Sequence, residues 1–119
     1  MTTSQIASLV RLWFDQAEQV NGPVLPDGWF GGRPYENAFV LMDVQASDDA
    51  IVVHLSEDTT LRITRPQRAY VKNSELVFDN FDHATLCWKD YGGTHYNQKQ
   101  YDSGQIRFMP PIGTIIAVS

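Results

Sequence analysis

Apolar residues recur every three or four positions through the first twenty residues: Ile6, Leu9, Val10, Trp13, Phe14, Ala17 and Val20. That spacing puts them on one stripe and predicts a single amphipathic helix over residues 4–20. Thr3 or Ser4 is placed to cap its start. Asn21-Gly22-Pro23 should stop it, because glycine accepts the left-handed C′ conformation and proline cannot continue a helix. Beyond Tyr35 the period changes from 3.6 to 2. Ala38, Val40, Met42 and Val44 alternate with Phe39 and Leu41, then Ile51, Val53 and Leu55 with Val52 and His54, then Leu61 and Ile63 with Arg62 and Thr64. Ser47-Asp48-Asp49 and Ser56-Glu57-Asp58 separate these runs, and turn residues so closely spaced predict antiparallel hairpins.

Shorter strands are expected at 70–72, 76–78, 84–88 and 105–109, with a turn at Asn73-Ser74. The polar stretch 92–104 reads as a flexible loop, and residues 112–118 as an apolar, β-prone tail. The whole is predicted as one α+β domain over 1–119. Its helix, at about 4–20, packs on a curved antiparallel sheet of six or seven short strands in the hairpin region 38–118, and a Gly/Pro-rich loop at 22–37 joins the two.

Composition narrows the field. The chain has 119 residues, 43% of them hydrophobic, and a net charge of −5. The acidity favours solubility, argues against nucleic acid and anionic membrane as partners, and fits a basic protein partner. Cys87 is the only cysteine, so the fold must stand without an intramolecular disulfide. A lone thiol, with no signal-peptide pattern and no apolar run near the ~20 residues of a membrane span, predicts a cytoplasmic protein.

The segment Asp27-Gly28-Trp29-Phe30-Gly31-Gly32-Arg33-Pro34-Tyr35-Glu36-Asn37 is the least ordinary in the chain. Together with Leu25 and Pro26 it resembles a motif in small, uncharacterised bacterial proteins, where a Gly-Trp-Phe-Gly-Arg-Pro-Tyr-Asp/Glu-Asn run precedes a set of β-hairpins. The later Tyr101, Gly104 and Ile106-Arg107-Phe108 are similar to the end of such proteins. This chain has one extra glycine inside the motif. The resemblance implies bacterial origin and carries no known activity over to this chain.

Aromatic side chains and arginine dominate the energetics of protein interfaces. Trp29, Phe30, Arg33 and Tyr35 are therefore the expected partner-binding residues, unless the rings plug the end of the sheet. A non-enzymatic protein-interaction module, inhibitor- or immunity-like, follows as the leading expectation. The alternative is a small-ligand binder or minor enzyme, with Tyr91, His95, Tyr96 and Tyr101 lining a pocket between helix and sheet. A homodimer through the 112–118 tail as an edge strand is a third.

No metal, cofactor or catalytic set is expected. His83 and Cys87 share a strand face but lie about 13 Å apart along it, too far for one tetrahedral ion. Cys87 reads instead as buried beside surface histidines. Cys87, His95 and Asp90 fit no nucleophile motif, and Asp79, Asp82 and Asp90 lack the spacing of a calcium loop. The glycines at 28, 31 and 32 do not link a strand to a helix in the dinucleotide-binding manner. Charge is segregated along the chain: Asp43, Asp48, Asp49, Glu57 and Asp58 precede Arg62, Arg65, Arg68 and Lys72. Either the two sets pair across neighbouring strands, or they form adjacent patches that steer a charged partner.

Overall fold

A computed structural model describes residues 1–30, 38–89 and 94–117. The helix α1 (Thr3–Ala17) buries Ile6, Ala7, Leu9, Val10, Trp13, Phe14 and Ala17, the expected stripe without its last member. Its N-cap is Thr2, one or two residues earlier than the sequence suggested. The Thr2 hydroxyl accepts from the Gln5 N–H, and the Gln5 side chain accepts from the Thr2 N–H in return. The helix also ends three residues early. Glu18 turns to φ 62°, and its N–H donates to the Phe14 carbonyl. Val20 is fully buried, as the stripe required, but from the start of strand β1 (Val20–Leu25). A buried β-branched residue satisfies either period, so the pattern could not choose between them.

Ten further strands follow: β2 (Gly28–Trp29), β3 (Ala38–Phe39), β4 (Leu41–Ala46), β5 (Ala50–Leu55), β6 (Thr59–Thr64), β7 (Arg68–Lys72), β8 (Glu75–Asp79), β9 (His83–Lys89), β10 (Tyr96–Tyr101) and β11 (Ile106–Met109). They form two antiparallel sheets, not the one curved sheet expected. The first runs β2-β1-β11-β8-β7, with β3 also on β1; the second runs β10-β9-β6-β5-β4.

The sheets are continuous through bent strands. Thr60 pairs with Cys87, Thr64 with His83, Arg68 with Asp79 and Lys72 with Glu75, so β6–β7 and β8–β9 are one long ribbon in unbroken register. It folds back at Asn73-Ser74, where both residues have positive φ (53° and 67°), as a two-residue type I′ hairpin turn requires. At the corner, backbone bonds from Gln67 N–H to the Asn80 carbonyl (3.0 Å) and from Asp82 N–H to the Thr64 carbonyl (3.1 Å) keep the two strands together. Arg65 and Asn80 take left-handed φ there (49° and 56°), and the ribbon changes sheets. Strands β10 and β11 follow the same corner, their pairing slipping by one residue between Tyr101↔Ala84 and Ile106↔Phe78.

Three strand assignments needed correction. Residues 92–104 were expected as a loop, yet β10 occupies most of that stretch and pairs with β9 from Tyr96↔Lys89 to Tyr101↔Ala84. It is an edge strand on which only Tyr101 is buried, so it carries no apolar alternation. In β4 a bulge falls between Leu41 and Asp43. The expected face is thereby split: Met42 is 67% exposed and Val44 buried. The described part of the 112–118 tail, expected to be β-prone, forms no strand. Ile116 is buried and its N–H donates to Ser74 Oγ, while Ile112 and Ile115 are exposed.

One core joins the helix to both sheets. Phe14 meets Phe108 edge-on at 5.6 Å, and Phe108 meets Phe78 at 6.0 Å. Helix α1 packs against β4, β5 and β7. Its Trp13 is fully buried, and the indole N–H donates to the Ser74 carbonyl in the ribbon's turn (2.9 Å). Trp13→Ala should therefore cost about 3–5 kcal/mol, read by denaturant unfolding. Trp13→Phe, which refills most of the space but leaves the turn carbonyl unpaired, should cost distinctly less than the alanine variant.

Candidate functional site

Pairing register lines up one row of side chains across the whole first sheet: Trp29 opposite Val24, Val24 opposite Arg107, Arg107 opposite Val77, and Val77 opposite Tyr70. Directly opposed side chains stand about 4.5–5.5 Å apart at Cβ. Arg107 lies between Ile106 and Phe108, and Val77 between Leu76 and Phe78. Those four neighbours belong to the core, so alternation turns the row to the outer face. Val24 and Val77 are nevertheless only 7% and 4% exposed, and neither belongs to the main core. Trp29, Arg107 and Tyr70 flank them in the row and are the large side chains in position to cover them.

Each of the three is held. The Trp29 ring reaches back over β1, with Cζ3 3.9 Å from where a Cβ on Gly22 would stand. Gly22 has φ +128°, a conformation that side chains other than hydrogen rarely adopt, and the same Cβ would come 3.2 Å from the Val24 nitrogen. Arg107 Nη1 bonds Glu75 Oε1 at 2.8 Å. The Tyr70 hydroxyl donates to Asp79 Oδ2 (3.0 Å), and the Arg68 guanidinium lies over the Tyr70 ring, 4.6 Å from its centre. The bond to Asp79 holds the Tyr70 phenol above the ordinary tyrosine range.

The expected binding residues separate. Trp29 and Phe30 are adjacent in sequence and turn to opposite sides. Trp29 is half-exposed on the outer face, whereas Phe30 packs against the core margin, 5.2 Å from Trp88 and 6.0 Å from Phe39 between ring centres. Arg33 and Tyr35 lie outside the described residues. Strands β2 and β3 both pair with β1, β2 at Val24 and Leu25 and β3 at Val20 and Asn21.

Of the alternative pocket set, Tyr91 lies outside the described residues, His95 and Tyr96 are exposed, and Tyr101 is buried. These three belong to β10 and its approach, the edge of the second sheet opposite β4, against which the helix packs. Tyr101 instead belongs to a staple between the sheets. Lys99 and Asp27 form an ion pair across the β1–β2 turn, and Lys99 Nζ stands 5.4 Å from the Tyr101 ring centre. The Lys99 bond pulls the Asp27 carboxyl below the usual carboxylate range, and Asp27 in turn raises Lys99. Burial, followed by the bond to Asp27, raises the Tyr101 phenol. Beside this staple, Gly104 (φ +115°) leaves room for Pro26, whose Cβ and Cγ lie 2.9 Å from the missing Cβ position.

His83 and Cys87 both lie on β9, and no three of His, Cys, Asp and Glu gather for a metal among the described residues. Cys87 is half-exposed on the outer face, not buried as expected. The segregated charges make neither patch. Asp48-Asp49 and Glu57-Asp58 fall at opposite ends of β5, about 17–20 Å apart. Two of the bases pair instead with later carboxylates, Arg65 with Asp82 (2.6 Å) and Arg68 with Asp79 (3.8 Å).

No helix among the described residues is long and apolar enough to cross a membrane. No protein family, no curated protein and no solved structure matches the chain.

The staple sets a pH signature. A lowered Asp27 pKa contributes stability above its ordinary value of 3.8, which is lost as pH falls through the folded value. A raised Lys99 contributes below its ordinary 10.5 and loses that contribution as pH climbs through the folded value. Asp27→Asn should therefore melt below the parent chain at neutral pH, and the gap should close below about pH 3.8. Melting followed by circular dichroism across that range checks it; a gap independent of pH contradicts the ion-pair origin.

Proposed function

We propose that the chain is a non-enzymatic protein-interaction domain, inhibitor- or immunity-like, that docks its partner on the outer face of the β2-β1-β11-β8-β7 sheet. The observation that carries this reading is the Trp29–Val24–Arg107–Val77–Tyr70 row. Tryptophan, tyrosine and arginine supply most interface hot spots. Here they sit on a rigid sheet, each already oriented by a neighbour, so little ordering cost remains for binding.

A basic partner fits the net charge of −5, through long-range attraction more than contact. On the docking face Arg68, Lys72 and Arg107 stand against Glu75 and Asp79, close to balance. The excess acid lies elsewhere, in the Ser47-Asp48-Asp49 turn and the Ser56-Glu57-Asp58 loop of the second sheet. Association should accordingly slow with added salt, while the tightness of the contact rests on the aromatic–arginine row.

The test starts with a tagged chain used to retain its partner from bacterial extract, the retained protein being identified and purified. Calorimetry should then show that Trp29→Ala with Arg107→Ala weakens binding by roughly 2 kcal/mol or more. Circular dichroism should show the variant still folded. Unchanged affinity in a folded double variant removes this face as the docking site.

A further inference from the structure

The outer face of the second sheet carries an arginine that nothing holds. Leu61 and Ile63 belong to the core, so alternation turns Arg62 outward between them. Arg11 donates to the Val44 carbonyl, Arg65 and Arg68 stand against Asp82 and Asp79, and Arg107 stands against Glu75. Arg62 is exposed and, alone of the described arginines, has neither an acceptor nor a carboxylate within ion-pair distance among the described residues. Register explains why. Val52 and Thr85 face it directly across the sheet, the diagonal positions hold Ala50, His54, His83 and Cys87, and its own strand offers only threonines on that face. None of these is a carboxylate, in a chain with 14 acids against 9 bases. A second cation follows along β9. Lys89 turns to the same face as Thr85 and Cys87. Its ammonium stands 5.8 Å from the Tyr96 ring centre, drawn toward β10 and away from the Glu57-Asp58 loop on the β6 side. Thr85 and Lys89 are four residues apart, which is about 13 Å along a strand. Cys87 lies midway, half-exposed.

We propose that this face docks an extended acidic segment of a partner protein, with the pattern acid–x–apolar–x–acid. An extended chain advances by the same length per residue as the strand beneath it. Carboxylates four positions apart therefore lie on one side of it and meet Arg62 and Lys89 together. The apolar side chain between them falls on Cys87. Thr60 and Gln98, which face Cys87 from either side, are placed to bond the segment's peptide groups. Other occupants fit less well. Single-stranded nucleic acid stacks successive bases on aromatic rings. The one ring on this face among the described residues is Tyr96, which Lys89 already covers, and a net charge of −5 opposes a chain charged at every unit. A second copy of this protein would have to offer Glu75-Leu76-Val77-Phe78-Asp79, which has the pattern. Its carboxylates are already taken, Glu75 by Arg107 and Asp79 by Tyr70 and Arg68, and its Val77 is only 4% exposed. The face lies on the other sheet from the row proposed above, so either can fail without the other.

The experiment is amide NMR on the intact chain at low salt, where exposed ion pairs are least screened. The probe is a synthetic, end-blocked peptide of seven residues with glutamate second and sixth, valine fourth and threonine elsewhere, added to about 10 mM, the weak end of measurable affinity. The Thr60, Arg62, Thr85, Cys87 and Lys89 resonances should shift in a saturable way. Moving the second glutamate by one place turns it to the opposite side of the extended peptide. That peptide should bind at least about threefold more weakly, the worth of one exposed ion pair. Arg62→Gln should reduce the affinity for the first peptide by a similar factor, as should Lys89→Gln. Arg62 is exposed and unbonded, so its variant should keep the parent spectrum away from the site. No saturable shift at these residues, equal binding of the displaced-glutamate peptide, or full affinity in Arg62→Gln would each overturn the assignment. Self-association that Arg62→Gln abolishes, read as concentration-dependent mass without peptide, would overturn it in favour of a second copy.

Discussion

The unbroken register of the ribbon through Asn73-Ser74 is the constraint on which the molecule depends. Once that two-residue turn forms, Lys72 faces Glu75, Tyr70 faces Val77 and Arg68 faces Asp79, and beyond the corner Thr64 faces His83 and Thr60 faces Cys87. The same strands build both sheets, so neither sheet can move without the other. Helix α1 is tied to this ribbon by Trp13, whose indole bonds the turn's own carbonyl at Ser74. A slip of one residue would turn every side chain of the ribbon to the opposite face, losing the core and the outer-face row together.

Much of this was legible in the sequence, and the parts that were not have physical reasons. The helix stripe, the alternation of Ile51, Val53 and Leu55, and that of Ile106 and Phe108 all appear as hydrophobic period predicts. Strand β10 was hidden because an exposed edge strand needs no apolar face. The division into two sheets was hidden because the corner is made by left-handed φ at Arg65 and Asn80, residue types that do not require it. The outer-face row was within reach. Counting outward from the recognised turn at Asn73-Ser74 pairs Tyr70 with Val77 and Arg68 with Asp79. What the sequence could not supply was the next neighbour, Arg107, which arrives from a strand nearly thirty residues later.

The aromatic segment divides its labour at one peptide bond. Phe30 closes the margin of the core against Trp88 and Phe39, while Trp29 lies along the opposite surface over Gly22. Core plug and outer surface are therefore not alternatives for this segment, because each ring takes one of the two roles. Charge behaves similarly. Acidic and basic blocks separate in sequence, yet the hairpins carry the two acidic turns to opposite ends of β5 and bring Arg68 to a carboxylate on β8 and Arg65 to one beside β9.

Strand β10 closes the order of the second sheet with Gln98, Lys99 and Gln100 exposed in sequence. An edge strand is in general a template on which stray chains can stack into fibrils. The lysine sets a charge that incoming backbone would have to bury. By drawing Lys99 to Asp27, the inter-sheet staple fixes that guard in place, so one side chain both ties the two sheets together and charges an edge strand against stacking.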